Sequence, residues 1–290
     1  MALKIVTADQ RMARPAGRKI VIAGLHGIGK TWLARSLDPV TTLVTDMEAG
    51  SLALEGWGGT SIPVESWDDS RNLACLIGGP SPHRRPDENY SQAHYDYCAK
   101  ESPEVVEMLA TKIKTVFWDS ITEMTRLSLH WSRGQPAAFS EKTGKPDGRG
   151  AYGLLATEGL DLFRHLQHAA HHNIIIVGGL KLEKDEYGRS SWSMMVEGGK
   201  IERELPGIFD NVMTLAEMKT EDGVSFRALV CQGLNKDGYP AKDRSGRLDM
   251  IEEPNLTKLI DKMNGGARRD QSVTSIPGVT VPATGAPPPF

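Results

Sequence analysis

Four short apolar runs, separated by longer amphipathic and polar stretches, define the pattern of the chain. They begin near residues 20, 41, 115 and 173, and uninterrupted β-branched runs of this length are typical of parallel strands buried on both faces. Apolar positions at helical spacing follow, most clearly over residues 152–172. The alternation predicts an α/β fold with a mostly parallel central sheet flanked by helices.

One later region breaks this alternation. Residues 211–215 and 225–231 both have strand character, and Glu221-Asp-Gly223 lies between them. A short polar turn with glycine between two strands indicates a hairpin, so a C-terminal antiparallel hairpin is predicted. Residues 1–17 are predicted to be a flexible arm, residues 18–265 the folded core, and the Pro-, Thr- and Gly-rich residues 266–290 a disordered tail.

The first apolar run leads into a glycine-rich turn and then a helical pattern. Gly24, Gly29, Lys30 and Thr31 fit the phosphate-binding pattern G-x-x-x-x-G-K-[ST] in its required strand–loop–helix context. Glycines let backbone N–H groups turn towards phosphate oxygens, and the helix N-terminus adds positive potential. This predicts a nucleotide site. Its binding residues are predicted to be Gly24, Leu25, His26, Gly27, Ile28, Gly29, Lys30, Thr31, Trp32 and, from a later strand, Asp119.

Acidic residues follow two of the predicted strands. Asp46 and Glu48 end the second strand, and Asp119 ends the next one, directly before Ser120. In open parallel sheets, ligands bind at this carboxyl edge. Asp119 is therefore predicted to hold Mg²⁺ together with the Thr31 hydroxyl. From position alone, Glu48 is equally consistent with activating water and with solvating a loop.

Composition restricts the remaining options. The net charge of −3 argues against a generally basic nucleic-acid coat, so any DNA contact must come from local loops. No apolar run approaches the roughly 18 residues of a membrane span. Cys75, Cys98 and Cys231 lie far apart, so neither a disulfide framework nor a CxxC metal site is indicated, and a reducing cytoplasmic location is predicted.

Two sets of potential metal ligands were weighed against ordinary roles. His83, His94 and Cys98 match no known ligand spacing, and a metal site there is not favoured. The second set, on one face of the predicted 152–172 helix, is interpreted as solvated or core-edge histidines rather than ligands; it comprises His165, His168 and His172.

Gly24 to Thr31, Thr45 to Glu48 and Trp118 to Ser120, in this order, resemble the RecA-family P-loop ATPase core. The chain is especially similar to the core-only RecA-like proteins of bacteriophages linked to single-strand annealing and recombination. The resemblance implies a RecA-like P-loop NTPase fold and an ATPase with ATP and Mg²⁺ as cofactors. It also implies that Lys30 contacts the phosphates, that Glu48 is the base that activates water, and that a phage-encoded chain acts in the host cytoplasm.

The same resemblance implies how DNA would bind. The family's two DNA-binding loops correspond to residues 132–150 and 183–199, which predicts single-stranded DNA as a partner and Trp192 as a base-stacking residue. From the residues alone, the alternative for the second segment is an ordinary β-hairpin covered by Trp192. A single-strand-binding protein is a further candidate partner, and no membrane partner is expected.

A trans-acting finger is also implied. Lys242-x-Arg244-x-Gly246 resembles the K-x-R-x-G motif of RecA-fold replicative helicases, in which the cations reach a neighbouring subunit's nucleotide. Lys242 and Arg244 are therefore predicted catalytic residues, with Lys200 as the second choice. The chain is expected to self-associate head to tail, as a ring or a filament.

Gly178-Gly179 stands where the family carries an Asn-Gln sensor. Two alternatives therefore stay open beside annealing and recombination. One is a ring-forming helicase or translocase, favoured by the K-x-R-x-G motif, and the other is a nucleotide-gated DNA-binding module with little turnover. A small-molecule phosphotransferase would need an arginine-rich lid, for which the sequence shows no clear candidate.

Overall fold

A single β-sheet crosses the whole molecule. The computed structural model describes residues 5–12, 17–48, 50–184, 186–188, 190–232, 239 and 241–265. The strands found in these residues are β1 (Lys19–Gly24), β2 (Thr42–Asp46), β3 (Thr60–Pro63), β4 (Thr115–Asp119), β5 (Asn173–Lys184), β6 (Ser190–Met194), β7 (Asn211–Lys219), β8 (Ser225–Val230), β9 (Lys242–Asp243) and β10 (Ile251–Glu252).

The sheet is parallel in its central part and antiparallel at one side. Its order is β10-β8-β7-β1-β5-β4-β2-β3. Strands β7, β1, β5, β4, β2 and β3 run parallel, whereas β8 pairs antiparallel with β7 and β10 pairs antiparallel with β8. Two further strands pair with the outer half of β5 and the start of β7; these are β6 and β9. The predicted fold class and the C-terminal hairpin are confirmed.

Helices cover both faces of the sheet. The α-helices are α1 (Ala8–Met12), α2 (Trp67–Gly78), α3 (Gln92–Glu101), α4 (Pro103–Thr111), α5 (Ile121–Arg133), α6 (Gly148–Gln167), α7 (Gly199–Ile208) and α8 (Leu256–Gly265). Short 3₁₀ helices span Thr31–Ser36, Ser51–Leu54 and Pro136–Ala138.

The alternation of side chains along β4 shows how the two layers are built. Val116 and Trp118 point into a core formed with α2 to α7, while Phe117 points into the opposite core beside Leu259 of α8. Successive residues of a strand face opposite sides of its sheet. A continuous apolar run therefore serves two cores at once, as the sequence pattern predicts.

Helix α6 ends earlier than the sequence pattern predicts. The pattern extends to residue 172, but the helix ends at Gln167, and a turn leads into β5. His165, His168 and His172 therefore do not share a helix face. His168 is exposed, whereas His172 is buried and its Nε2 lies 3.2 Å from the Leu109 carbonyl oxygen. His168 is thus solvated and His172 lies in the core, which agrees with the interpretation as solvated or core-edge histidines.

Both segments predicted to be DNA-binding loops have internal structure. The turn before α6 is closed by backbone hydrogen bonds, including Ser140 N–H to Lys145 O at 2.9 Å and Asp147 N–H to Ala138 O at 2.7 Å. These bonds give the segment a defined turn between α5 and α6. In the second segment, β5 continues to Lys184 and pairs with β6, so the hairpin alternative describes it. Arg189 lies outside the described residues, as does the predicted tail.

Candidate nucleotide-binding site

The glycine-rich turn lies at the carboxyl edge of the sheet, directly after β1. Gly27 and Gly29 have φ values of 75° and 99°, which L side chains rarely adopt. A β-carbon at Gly24 would lie 2.9 Å from Ile28 Cγ2. The turn therefore requires glycine at these positions for backbone conformation and close packing. Of the predicted binding residues in the turn, the following line the adjacent cleft: His26, Gly27, Gly29, Lys30, Thr31 and Trp32; Gly24, Leu25 and Ile28 do not.

Lys30 folds back over this turn. Its Nζ donates hydrogen bonds to the carbonyl oxygens of Gly24 at 3.2 Å and Leu25 at 3.0 Å. Burial lowers the pKa of Lys30, and the carboxylates of Asp119 and Glu48 oppose that shift. A cation that is partly desolvated and faces two acids is suited to contact phosphate oxygens.

Asp119 and Thr31 meet across the edge of the sheet. Asp119 is buried, with 8% of its surface exposed. Burial raises its pKa to about 6, although a hydrogen bond from the Thr31 side chain acts in the opposite direction. Parallel register places Asp119 beside Asp46. A hydroxyl and carboxylates are hard oxygen donors of the kind that Mg²⁺ prefers, so this donor set fits the predicted ion.

Glu48 is held by the start of α5. Ser120 Oγ donates to Glu48 Oε1 at 2.5 Å and accepts the Glu123 N–H at 3.3 Å. Ser120 therefore both caps α5 and orients the Glu48 carboxylate. The side chain of Glu48 lines the same cleft as Lys30 and Asp119.

The cleft itself has a volume of about 900 Å³, within the range of small-molecule sites. Trp32 lies at its rim with 56% of its surface exposed, and the Arg35 guanidinium lies 4.4 Å from its ring centroid. The Gly179 N–H donates to Thr122 Oγ1 at 3.1 Å at the back of the cleft. The Gly178-Gly179 pair therefore brings backbone, rather than a polar side chain, to this position.

Two arginines in the cleft were missed at the sequence level. Arg227 of β8 reaches the phosphate-binding turn, since its Nη1 would lie 2.7 Å from a β-carbon at Gly29. Arg126 of α5 also lines the cleft and pairs with Glu123 at 3.2 Å. Arg227 is almost two hundred positions from the turn in sequence, so only the hairpin register could have placed it there.

Lys242 and Arg244 lie away from this cleft. β9 pairs with the first residues of β7, and Asn211 of β7 lies beside Ile20 at the start of β1. They therefore occupy the amino edge of the parallel strands, whereas the phosphate-binding turn follows the carboxyl edge. The structure does not bring them to the nucleotide site of their own chain.

The predicted DNA-binding segments present different surfaces. Four basic side chains around the turn before α6 are exposed: Arg133, Lys142, Lys145 and Arg149. In the β5–β6 hairpin, Trp192 is half-buried and packs against the core that α2 to α7 form with the sheet. Lys181 pairs with Glu183 at 2.6 Å. The first segment is therefore the more exposed cationic surface.

The phosphate-binding turn, the buried acid on β4 and the parallel sheet agree with the comparison to protein families. The family model of the AAA domain matches residues 16–245, which is more than half of the chain. The chain belongs to the AAA-domain family. This AAA-domain protein is a P-loop ATPase with a mostly parallel central sheet flanked by helices, so the predictions of an α/β fold and of an ATP-hydrolysing enzyme are confirmed.

Solved structures similar to this AAA-domain protein share 14–16% sequence identity with it. An ATPase of the type III secretion system of pathogenic bacteria has 16% identity, covers 69% of this chain and 51% of its own, and gives a TM-score of 0.32. The P4 protein of bacteriophage phi6 in complex with ADP has 14% identity, coverages of 78% and 65%, and a TM-score of 0.30. The RadB recombinase has 14% identity, covers 82% of this chain and 91% of its own, and gives a TM-score of 0.29.

These likenesses do not identify an activity or a partner. The chain spans about half the length of the secretion-system ATPase. No curated protein sequence matches it. In the described part of the AAA-domain protein, no helix has both the length and the apolar character needed to cross a bilayer.

Proposed function

We propose that this protein is a Mg²⁺-dependent ATPase that binds single-stranded DNA and promotes annealing or recombination, as the resemblance to core-only phage RecA-like proteins implies. One observation carries the catalytic part of this proposal. Lys30, Thr31, Asp119 and Glu48 come from three separate strand ends and line one cleft. They provide a phosphate contact, two metal ligands and a carboxylate that faces the same space.

Each of these side chains has a distinct task in the proposed reaction. Thr31 and Asp119 would hold Mg²⁺, which when bound neutralises phosphate charge. When nucleotide binds, Lys30 Nζ would leave the carbonyl oxygens of Gly24 and Leu25 and donate its hydrogen bonds to phosphate oxygens. Arg227 would add a second positive charge at the Gly29 side of the turn. These residues bind and orient the nucleotide.

Glu48 would orient the attacking water and accept its proton. The hydrogen bond from Ser120 fixes the direction of the carboxylate, and fixed orientation is the main requirement for a base in phosphoryl transfer. Because Ser120 is also the N-cap of α5, the position of the base depends on the position of that helix.

The proposed DNA contact rests on the turn before α6. Its exposed cations include Lys142, Lys145 and Arg149, and cations of this kind contact phosphate backbones. Helix α5 connects this turn to Ser120 and therefore to the cleft. The covalent connection supports DNA-dependent turnover.

Self-association head to tail would bring Lys242 and Arg244 to a neighbouring subunit's nucleotide. In the structure, Arg244 pairs with Asp210 at 3.1 Å and donates to the Gly207 carbonyl, while Lys242 donates to the Pro206 carbonyl. An arginine finger contributes about 10³ to 10⁵ in rate. An isolated protomer is therefore expected to hydrolyse ATP slowly.

Turnover with and without single-stranded DNA tests the catalytic assignment. Wild type, Lys30→Ala, Glu48→Gln and the control Glu55→Gln would be compared. Glu55 is an exposed acid seven residues after Glu48. We expect DNA to stimulate the wild type and the control, Lys30→Ala to lose nucleotide binding, and Glu48→Gln to bind ATP without hydrolysing it. Normal turnover by Glu48→Gln would remove Glu48 as the base.

The DNA assignment has its own test. We would replace Lys142, Lys145 and Arg149 with alanine. The control variant would replace three exposed lysines that precede β4, namely Lys100, Lys112 and Lys114. Loss of three phosphate contacts should reduce the salt dependence of single-strand binding, d log K/d log[salt], by about 2. An equal effect in both triple variants would indicate general charge rather than a site.

Two other functions would give different results. A nucleotide-gated DNA-binding module, favoured by the glycines at positions 178 and 179, would show ATP-dependent DNA binding with negligible turnover. A ring-forming helicase or translocase would show directional unwinding. Annealing of complementary strands without directional unwinding would support the primary proposal.

A further inference from the structure

A second cluster of potential ligands lies in the segment between β3 and β4. Cys75 of α2 and two residues of α3, His94 and Cys98, place one ligand atom each within 4.8 Å of one another. Among the described residues, these are the three His, Cys, Asp or Glu side chains found close enough together to share one metal ion. His94 and Cys98 are one helical turn apart and therefore share a face of α3, and Cys75 approaches from the neighbouring helix.

We propose that Cys75, His94 and Cys98 form a binding site for a Zn²⁺ ion that joins α2 to α3. Zinc bonds of about 2.3 Å to sulfur and 2.0 Å to nitrogen place tetrahedral ligands about 3.5–3.8 Å apart. A contraction of at most about 1.3 Å would bring the three atoms to this spacing. Water would occupy the fourth position.

Burial, charge and ligand type favour Zn²⁺ at this cluster over Mg²⁺, the ion predicted for the nucleotide cleft. Cys75 and Cys98 have exposed fractions of 0% and 2%. Two thiolates and a neutral imidazole carry a charge of −2, so a divalent ion leaves the buried site neutral, which limits the desolvation penalty. Sulfur and imidazole nitrogen are soft or borderline ligands that select zinc over Mg²⁺.

Contacts around the cluster fix the imidazole ring. His94 Nδ1 accepts the Tyr90 N–H at 2.9 Å, and Nε2 lies 3.0 Å from Asn72 Oδ1. Because Nδ1 accepts a hydrogen bond, Nε2 carries the proton and donates to Asn72 Oδ1, an oxygen partner of the kind that orients histidines that ligate metals. Zinc at Nδ1 would replace the Tyr90 N–H, while the Nε2–H would keep its bond to Asn72 and hold the ring.

The thiols already influence each other. The Cys75 thiol and, after it, His94 lower the pKa of Cys98, against the opposing effect of burial. The hydrogen bond with Cys98 raises the pKa of Cys75. The same two sulfurs could instead form a disulfide, which is an alternative outcome of the test.

Metal analysis of the full chain tests the site independently of ATP hydrolysis. The chain would be purified under reducing conditions without chelator, and bound zinc would be measured by mass spectrometry. The zinc-free chain would then be titrated with Co²⁺. We expect one zinc per chain and an intense thiolate-to-cobalt charge-transfer absorption with tetrahedral d–d bands. Substoichiometric zinc together with no such absorption would overturn the proposal.

Cysteine variants assign the ligands. Cys75→Ser and Cys98→Ser should each weaken zinc binding at least about 100-fold, since each removes a thiolate ligand. Cys231→Ser is the matched control, because Cys231 is also buried but belongs to the core on the opposite face of the sheet. Equal zinc affinity in all three variants would overturn the proposal, and the wild-type cobalt spectrum does not depend on any variant folding.

Oxidation separates zinc binding from a thiol switch. The wild-type chain would be treated with a mild oxidant, with and without prior loading of zinc, and its mass measured without reduction. Protection of both thiols by zinc is expected. Formation of a Cys75–Cys98 disulfide at the same rate in zinc-treated and zinc-free chains would overturn the proposal in favour of a redox pair.

Discussion

The nucleotide cleft and the Cys75–His94–Cys98 cluster are two proposed cation sites with opposite ligand chemistry. The cleft offers the Thr31 hydroxyl and the Asp119 carboxylate at the open edge of the sheet. The cluster offers two sulfurs and an imidazole between packed helices. Oxygen donors in an open cleft suit a hard ion that enters and leaves with a nucleotide, whereas soft donors in a closed core suit an ion that stays. One domain can thus separate an exchanging cation from a resident one by ligand type and burial alone.

The largest effect should come from removing the charge in the cleft. Lys30→Ala is expected to lower ATP turnover by about 10²–10³-fold, because a pre-positioned cation at the phosphates is lost. Steady-state phosphate release measures this, and zinc content should stay unchanged. Lys112→Ala is the control. Turnover within about twofold of the wild type would contradict the role of Lys30.

Removing zinc should lower stability and leave nucleotide binding nearly unchanged. A zinc-selective chelator is expected to lower the unfolding temperature by about 5–10 °C, which corresponds to roughly 2.7 kcal/mol for an ion present at 100 times its dissociation constant. ATP affinity should change less than about twofold. Differential scanning calorimetry and nucleotide titration measure the two quantities. Loss of nucleotide binding on chelation would show that the two sites are coupled.

Arg227→Ala should weaken nucleotide binding about tenfold, since a hydrogen bond to a charged group contributes about 1.5 kcal/mol. Lys219→Ala is the matched control, because Lys219 is an exposed cation in the same β7–β8 hairpin. Titration with ATP measures both variants. A comparable loss in Lys219→Ala would assign the effect to the overall charge of the hairpin.

Ser120→Ala tests whether the orientation of Glu48 matters. It should lower kcat about fivefold with an unchanged KM, because one hydrogen bond of about 1 kcal/mol no longer holds the carboxylate. Ser66→Ala is the control, since Ser66 caps α2 in the same manner, through Asp69 N–H, and lies outside the cleft. Both variants should lose similar stability, but only Ser120→Ala should lose kcat. Equal kcat values would separate Ser120 from catalysis.

The smallest expected effect is a loss of stability at acidic pH, which involves neither the nucleotide cleft nor the Cys75–His94–Cys98 cluster. Burial lowers the pKa of His172 below the value of about 6.5 expected in the unfolded chain. The unfolded state therefore binds a proton first, and the free energy of unfolding should fall as pH drops below about 6.5. Urea unfolding with chelator at pH 7 and pH 5 measures this. His172→Gln should reduce the loss, whereas His171→Gln, at an exposed neighbour, should not.

Local patterns predicted what is formed locally. The phosphate-binding turn and the strands with acidic ends could be read directly, because each is specified by contiguous residues. The 3₁₀ form of the helix Thr31–Ser36 and the early end of α6 depend on packing, which the spacing of apolar residues does not report. Cys75 and Cys98 appeared unrelated because 23 positions separate them in sequence. Arg227 reaches Gly29 only through the register of the hairpin, which a single sequence leaves open.

Strand β5 has a mechanical consequence beyond its place in the sheet. Its first half lies between β1 and β4, Gly179 reaches the cleft, and the same backbone continues to Lys184 beside β6. Five residues of extended chain span about 16 Å. The β5–β6 hairpin therefore extends about 16 Å from Gly179 at the cleft. A rotation of a few degrees at Gly179 would move Lys184 by about one ångström, so a small change at the cleft would be largest at the far end of the hairpin.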